Sequence, residues 1–459
     1  MAKTSIWFVC SQCGYESPRW YGKCPNCGQW NTMQEFKAQK TKLKATAKQA
    51  VKPIKLSEIK AFKNQRIATS LGEFDRVLGG GFIAGSVVLL AGEPGVGKST
   101  LLLQLVKFLP KESICLYICG EESPEQVKLR AERTGAENSH LLLLPETNVE
   151  RIIEEAAAVA EGLLVQGEAG KIARDAVGIF MIIDSIQTLW SEDFDGSPGS
   201  ISQVRGCSQK LLEFAKKNSI TAILVGHVNK EGEIAGPMIL SHMVDAVLFL
   251  EGERFADLRL LRGIKNRFGP TDEVGVFRMG EKGMTEVANP SELFLEAGEE
   301  TKNQPGSVVV CAMEGTRPVL LEIQALVTQS ALAVPRRVVS GVDYNRVLLL
   351  AAVLQKTLGL PLYNQDIFVK VGGGFKIAEP AADLGICLAI VSSFKNTPLP
   401  VKACVFGEVG LLGEIRRVSG EEKRIKEAKK LGFTKILSSG TIKSLREAVK
   451  IVGELKGQS

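Results

Sequence analysis

Residues 92 to 99 read Gly92, Glu93, Pro94, Gly95, Val96, Gly97, Lys98 and Ser99, a match to G-x-x-x-x-G-K-[ST]. An apolar run at 87–91 precedes them, and a helical pattern opening on Thr100 follows. A glycine-rich loop of this kind works at the end of a buried strand. There its backbone N–H groups and the N-terminus of the next helix face the phosphates of a nucleotide. Gly95 and Gly97 let the backbone approach. Lys98 is expected to reach the β- and γ-phosphates and Ser99 to place its hydroxyl on Mg²⁺. The motif makes 92–100 the expected site of ATP and Mg²⁺.

The flanking sequence predicts an α/β fold. Apolar runs at 114–119, 141–144, 179–184, 221–226, 246–250 and 258–264 alternate with helical patterns. Continuous apolar strands separated by helices indicate a mainly parallel sheet covered on both faces. Asp184 ends one of these runs, where a carboxylate holds the Mg²⁺ water shell; the alternative is a helix cap. Glu121 and Glu122 follow another. They are first and second candidates to activate water, and one of them is expected to cap the helix beginning near Ser123.

A chain of 459 residues is too long for one core. Five segments are expected: a four-cysteine module at 1–36, a basic linker at 37–66, the ATPase domain at 67–280, a polar connector at 281–306, and a second α/β domain at 307–459. The hydrophobic fraction of 45% and charged fraction of 24% exclude wholesale disorder. No apolar run reaches the roughly 18 residues of a membrane helix, and residues 1–10 lack a long apolar signal region. The expected location is cytoplasmic, with no membrane partner. Residues 1–66 hold 13 Lys/Arg against 3 Asp/Glu, whereas the remainder is slightly acidic. The basic excess reads as a polyanion contact or as a solvated linker.

Of ten cysteines, four fall in two Cys-x-x-Cys turns: Cys10 with Cys13, and Cys24 with Cys27. Each turn supplies two thiolates, and a glycine after each pair lets it close. A structural Zn²⁺ in a zinc ribbon is expected. Trp7, Trp20, Tyr21 and Trp30 surround it, read first as its small core and second as a base-stacking surface.

Leu78-Gly-Gly-Gly81, Gly120-Glu-Glu-Ser123 and Lys265-Asn-Arg-Phe-Gly269 accompany the zinc module and the P-loop. In that order they resemble the RadA (Sms) family of bacterial DNA-repair and recombination ATPases, over the whole chain. The resemblance implies a RecA-like core and a Lon-protease-like C-terminal domain. It also implies a hexameric ring, movement on single-stranded and branched DNA during branch migration, and a recombinase partner of RecA type. Lys265 and Arg267 are then expected on a turn, acting at a neighbour's ATP; the alternatives are a solvated turn or a DNA phosphate contact. His227 takes the place of a γ-phosphate sensor, or is structural. Arg205 and Lys230, beside loops at 191–200 and 229–236, are the candidate DNA contacts. Ala381 stands where the resemblance places a protease serine, and Glu422, next to Lys423, where it places the lysine. Proteolysis is therefore not expected. Cations from Arg416 to Lys430, Arg424 among them, read as a solvated helix or a DNA platform.

Overall fold

A computed structural model describes residues 6–12, 15–37, 66–111, 113–136, 140–162, 178–227, 237–252, 257–296 and 304–453. It divides into two compact units, one containing most residues up to 286, the other built mainly from 287 onward. Cys13, Lys230, the loop at 229–236 and nearly all of the basic linker lie outside the described residues.

The N-terminal module is a three-stranded antiparallel sheet in which β1 (Ile6–Cys10) pairs with both β2 (Glu16–Ser17) and β3 (Met33–Lys37). Cys10, Cys24 and Met33 are buried in it. Trp20, Tyr21 and Trp30 are exposed, which overturns the core reading for these three. A module this short has too little interior to hold several large rings.

Among the described residues, the large sheet of the first unit has nine strands. They are β4 (Val87–Gly92), β5 (Ser113–Cys119), β6 (Leu141–Leu144), β7 (Gly178–Asp184), β8 (Thr221–His227), β9 (Ala246–Glu251), β10 (Leu258–Asn266), β11 (Val274–Gly280) and β12 (Gly283–Glu286). Their order is β12-β11-β10-β9-β4-β8-β7-β5-β6. The six strands from β9 to β6 are parallel, with β4 central. Successive residues of β4 feed opposite cores. Val88 and Leu90 pack with Phe74, Leu102 and Phe180, while Val87 and Leu89 pack with Ile183, Leu211 and Leu224. This double burial is why the parallel strands read as unbroken apolar runs. β10 runs antiparallel to β9, in a sheet that is mainly parallel as expected. The sheet also continues past residue 280 into β12, and a helix, Pro290–Glu296, occupies part of the expected connector.

The C-terminal unit carries a six-stranded sheet, also ordered through non-sequential neighbours. β13 (Ser307–Glu314) and β14 (Arg317–Gln329) form its central hairpin. The helix Asp383–Lys395 packs against them so closely that a Cβ at Gly385 would lie 2.1 Å from Val310 Cγ1. Ala381 is buried. Arg424 is fully buried rather than solvated. It makes a two-pronged pair with Glu379, at 2.7 and 2.6 Å, and donates to Ser419 O at 3.0 Å. It is therefore removed from the candidate DNA platform. A buried charge persists only when paired in this way.

Candidate nucleotide site

β4, β5, β7 and β8 lie side by side and end on the same edge. Register pairs Gly92 with His227 and Cys119 with Asp184. An open parallel sheet gathers its ligand at these carboxyl ends. Lys98, Asp184, Glu121 and His227 therefore converge because each closes or follows a core strand.

The P-loop turns through Gly95 at φ +80° and Gly97 at φ +110°, in the left-handed region. Gly97 caps the helix Lys98–Phe108, and a Cβ there would meet Met284 and Met279 within 2.6 Å. Lys98 is buried, and its Nζ donates to Gly92 O at 2.8 Å and Glu93 O at 2.9 Å. Burial pulls its pKa down to about 8, against the pull of Asp184 and Glu121 upward. Ser99 and Thr100 open the same helix.

Buried Asp184 ends β7 and accepts from the Tyr117 hydroxyl at 2.5 Å, from the neighbouring β5. The Asp184–Ser185 peptide is cis. Gly120 lies so close to this strand end that a Cβ would sit 2.1 Å from Thr188 Oγ1; the Gly120 N–H donates to Asp184 O at 2.8 Å. Only glycine fits there, and it delivers Glu121 to the site. Glu121 Oε1 bonds to His227 Nε2 at 3.1 Å and accepts from the Ser185 hydroxyl. The His227 bond, then Ser185 and Lys98, hold the Glu121 carboxyl down at about 2, against burial.

Glu122 is placed differently. Both its oxygens pair with Arg130, at 2.5 and 2.6 Å. Neither glutamate caps the following helix: Ser123 does, in a capping box with Gln126.

Lys265 lies inside β10 next to a bulge, not on the expected turn. Its Nζ donates to Ser241 O at 2.6 Å and Val244 O at 2.9 Å, at the C-terminal end of the helix Pro237–Met243. Arg267 pairs with Asp245 at 3.1 Å. Asp245 itself accepts from the Val87 N–H. Both cations thus sit at the end of β4 opposite to Gly92, on the order of 15 Å of strand away.

One site residue carried no signal in the sequence. Arg259, buried on β10, donates from Nε to Val96 O at 3.0 Å, at the apex of the P-loop. Arg205, the fifth residue of the helix Ile201–Asn218, is exposed. The loop before it is clamped: buried Gln203 donates to Ser191 O, Phe194 O and Gly196 O.

Three of the four module cysteines are described. The sulfurs of Cys10, Cys24 and Cys27 lie within 4.8 Å of one another, and the Cys10–Cys27 pair is 3.6 Å apart. Two ligands of a tetrahedral zinc–thiolate centre stand about 3.8 Å apart, from a bond of about 2.3 Å. The spacing fits a metal.

A family model described as KaiC ATPase matches residues 67–268, and a rubredoxin metal-binding domain matches 8–35. DNA repair protein RadA of Bacillus subtilis (strain 168) is 50% identical over 444 residues, spanning 95% of this chain and 93% of its own. The chain belongs to the RadA family of DNA repair proteins. Its RadA relative in Halalkalibacterium halodurans is 46% identical over 443 residues, and that in Listeria monocytogenes is 46% identical over 439. This RadA-family chain has a RecA-like ATPase domain and an N-terminal metal ribbon. Among the described residues, no helix is long and apolar enough to cross a membrane.

Proposed function

We propose that the chain is a DNA-dependent ATPase working as a ring-shaped motor on single-stranded DNA, in recombination and repair, with branched DNA and a RecA-type recombinase as partners. The observation that carries this reading is the split of the ATP machinery. Lys98, Ser99, Asp184, Glu121 and His227 stand at one end of the sheet, while Lys265 and Arg267 stand at the other. Two cations that far from their own P-loop fit a phosphate bound by a neighbouring copy, which is the logic of a closed ring.

In this account ATP, when bound with Mg²⁺, supplies a transferable γ-phosphoryl group. Lys98 and the loop N–H groups hold its phosphates, and Ser99 and Asp184 are the protein's oxygens for the metal. Glu121 orients water. A carboxylate held near pKa 2 is a poor proton acceptor, and His227 is the largest cause of that depression. If His227 turns toward a γ-phosphate, Glu121 loses that bond and becomes more basic. Base activation is thereby tied to nucleotide occupancy. Arg259 holds the loop apex in position. Cys10, Cys13, Cys24 and Cys27 are the ligands for Zn²⁺, and Arg205 and Lys230 are the DNA contacts. Ala381 offers no nucleophile, so peptide cleavage has no place in the cycle.

Two outcomes are expected at the nucleotide site. Because Lys98 titrates near 8 when buried, its positive charge fades above that pH, and kcat/KM for ATP falls as pH rises through about 8. A pH series shows it, and Lys98→Arg removes that limb. Arg259→Met raises the KM for ATP about tenfold with a smaller change in kcat, since a hydrogen bond from a charged group contributes about 1.5–3 kcal/mol.

The motor itself is tested by displacement of streptavidin from a biotin-ended single strand. Displacement with ATP, and none with a non-hydrolysable analogue, is expected. ATP turnover without displacement points to the second reading, a nucleotide-switched adaptor acting through protein contacts.

A further inference from the structure

The metal ribbon turns Trp20 and Trp30 outward. Trp20 is 55% exposed and Trp30 69%. They form one patch: a Cβ at Gly22 would lie 3.5 Å from Trp20 Cη2 and 3.8 Å from Trp30 Cζ3, so the six-membered rings converge over glycine backbone. The patch is held in place. Trp20 Nε1 donates to Met33 O at 3.1 Å, Asn31 N–H donates to Gly22 O at 2.8 Å, and Trp30 bridges Lys23 in an isolated ladder pair. Lys23 Nζ stands 5.8 Å from the Trp30 ring centre.

Ring exposure on this scale serves no core: among the described residues, the buried apolar side chains of the module are Cys10, Cys24 and Met33. Charge selects the partner. From Pro18 to Asn31 the chain contains Arg19 and Lys23 but no Asp or Glu, and ten Lys/Arg follow at 37–66 against one acid. Flat rings flanked by cations, without acids, match a strand that offers base faces and phosphates together. A protein partner would also use tryptophan, but would not call for a stretch from 18 to 31 without acids, followed by a strongly basic segment.

We propose that this face is a single-stranded DNA contact, with bases stacked on Trp20 and Trp30 and phosphates met by Lys23 and Arg19. It rests on the reading of the protein as a DNA-dependent ATPase, and adds a DNA contact on the ribbon itself. Stacking tolerates any base, so binding should be indifferent to sequence and weaken with salt.

The test uses the full-length protein and a labelled oligo-dT of about 30 nucleotides, enough for several bases to reach the patch. The double variant Trp20→Ala/Trp30→Ala should bind at least about tenfold more weakly. Its zinc content and DNA-free ATP turnover should be unchanged. Trp30→Phe, which keeps a flat ring, should bind nearly as wild type does. Wild-type affinity in the double variant with zinc retained overturns the proposal and leaves the patch to a protein partner. If the double variant loses zinc, Trp30→Ala against Trp30→Phe decides, and equal affinities overturn it. A wild-type protein that fails to bind oligo-dT would instead overturn the DNA-dependent reading as a whole.

Discussion

Glu121→Gln lowers steady-state ATP turnover by roughly 10²–10⁴-fold and leaves nucleotide affinity close to wild type. That range is what a positioned acid–base group supplies. Glutamine keeps the shape and the bond to Ser185 but removes the charge that orients water. Glu122→Gln makes the contrast. Its oxygens are committed to Arg130, so turnover should stay within a few-fold, while stability drops by about 1 kcal/mol, as for a partly exposed ion pair. Rapid-quench kinetics on both variants separate the two roles; equal losses would contradict the assignment of water activation to Glu121. The pH dependence has a definite sign. The folded Glu121 carboxyl titrates near 2, below its ordinary value. The stabilisation from His227 and Ser185 is therefore full above about pH 4.5 and is lost as pH falls toward 2. No acidic limb of kcat/KM, which reports the nucleotide-free protein, should trace to Glu121 above that pH.

Arg267→Ala abolishes turnover while ATP still binds, a loss of about 10³-fold or more for a finger residue. The expectation follows from where Arg267 sits. It pairs with Asp245 beside the start of β4, away from Gly92, so removing it leaves the same chain's P-loop intact. A mixing experiment sharpens the point. Lys98→Ala copies retain Arg267, and Arg267→Ala copies retain Lys98. Mixed before assembly, the two inactive variants should recover part of the wild-type rate. Normal hydrolysis by Arg267→Ala would contradict the trans role outright. Lys265 should behave differently, because its ammonium binds carbonyls at a helix end in its own chain. Lys265→Ala is expected to lose stability as well as rate.

Much of the nucleotide site was legible in the sequence because its parts are local. A P-loop is contiguous, and Asp184 and Glu121 each lie at or just past the end of an apolar strand that burial on both faces keeps apolar. What stayed hidden depends on distant partners. Glu121 and Glu122 are adjacent, and only their distant partners, His227 and Ser185 against Arg130, tell them apart. Arg259 reaches Val96 across 163 positions, with no pattern linking them. The antiparallel direction of β10 was not legible, because an apolar run does not announce whether its neighbour is parallel. Arg424 reads in the sequence as one cation of a solvated helix or a DNA platform, and its burial required Glu379, 45 residues earlier. Trp20 and Trp30 failed for the opposite reason: their residue type suggested a core, but so small a module has no volume to take them, while the Trp7 side chain lies outside what is described.

Steady-state ATP hydrolysis with Mg²⁺, with and without single-stranded DNA and at low and high salt, tests the central claim most directly. Strong stimulation by DNA, weakening as salt rises, is the predicted result. Equal rates with and without DNA would contradict a DNA-driven cycle and leave an ATPase that signals through protein contacts.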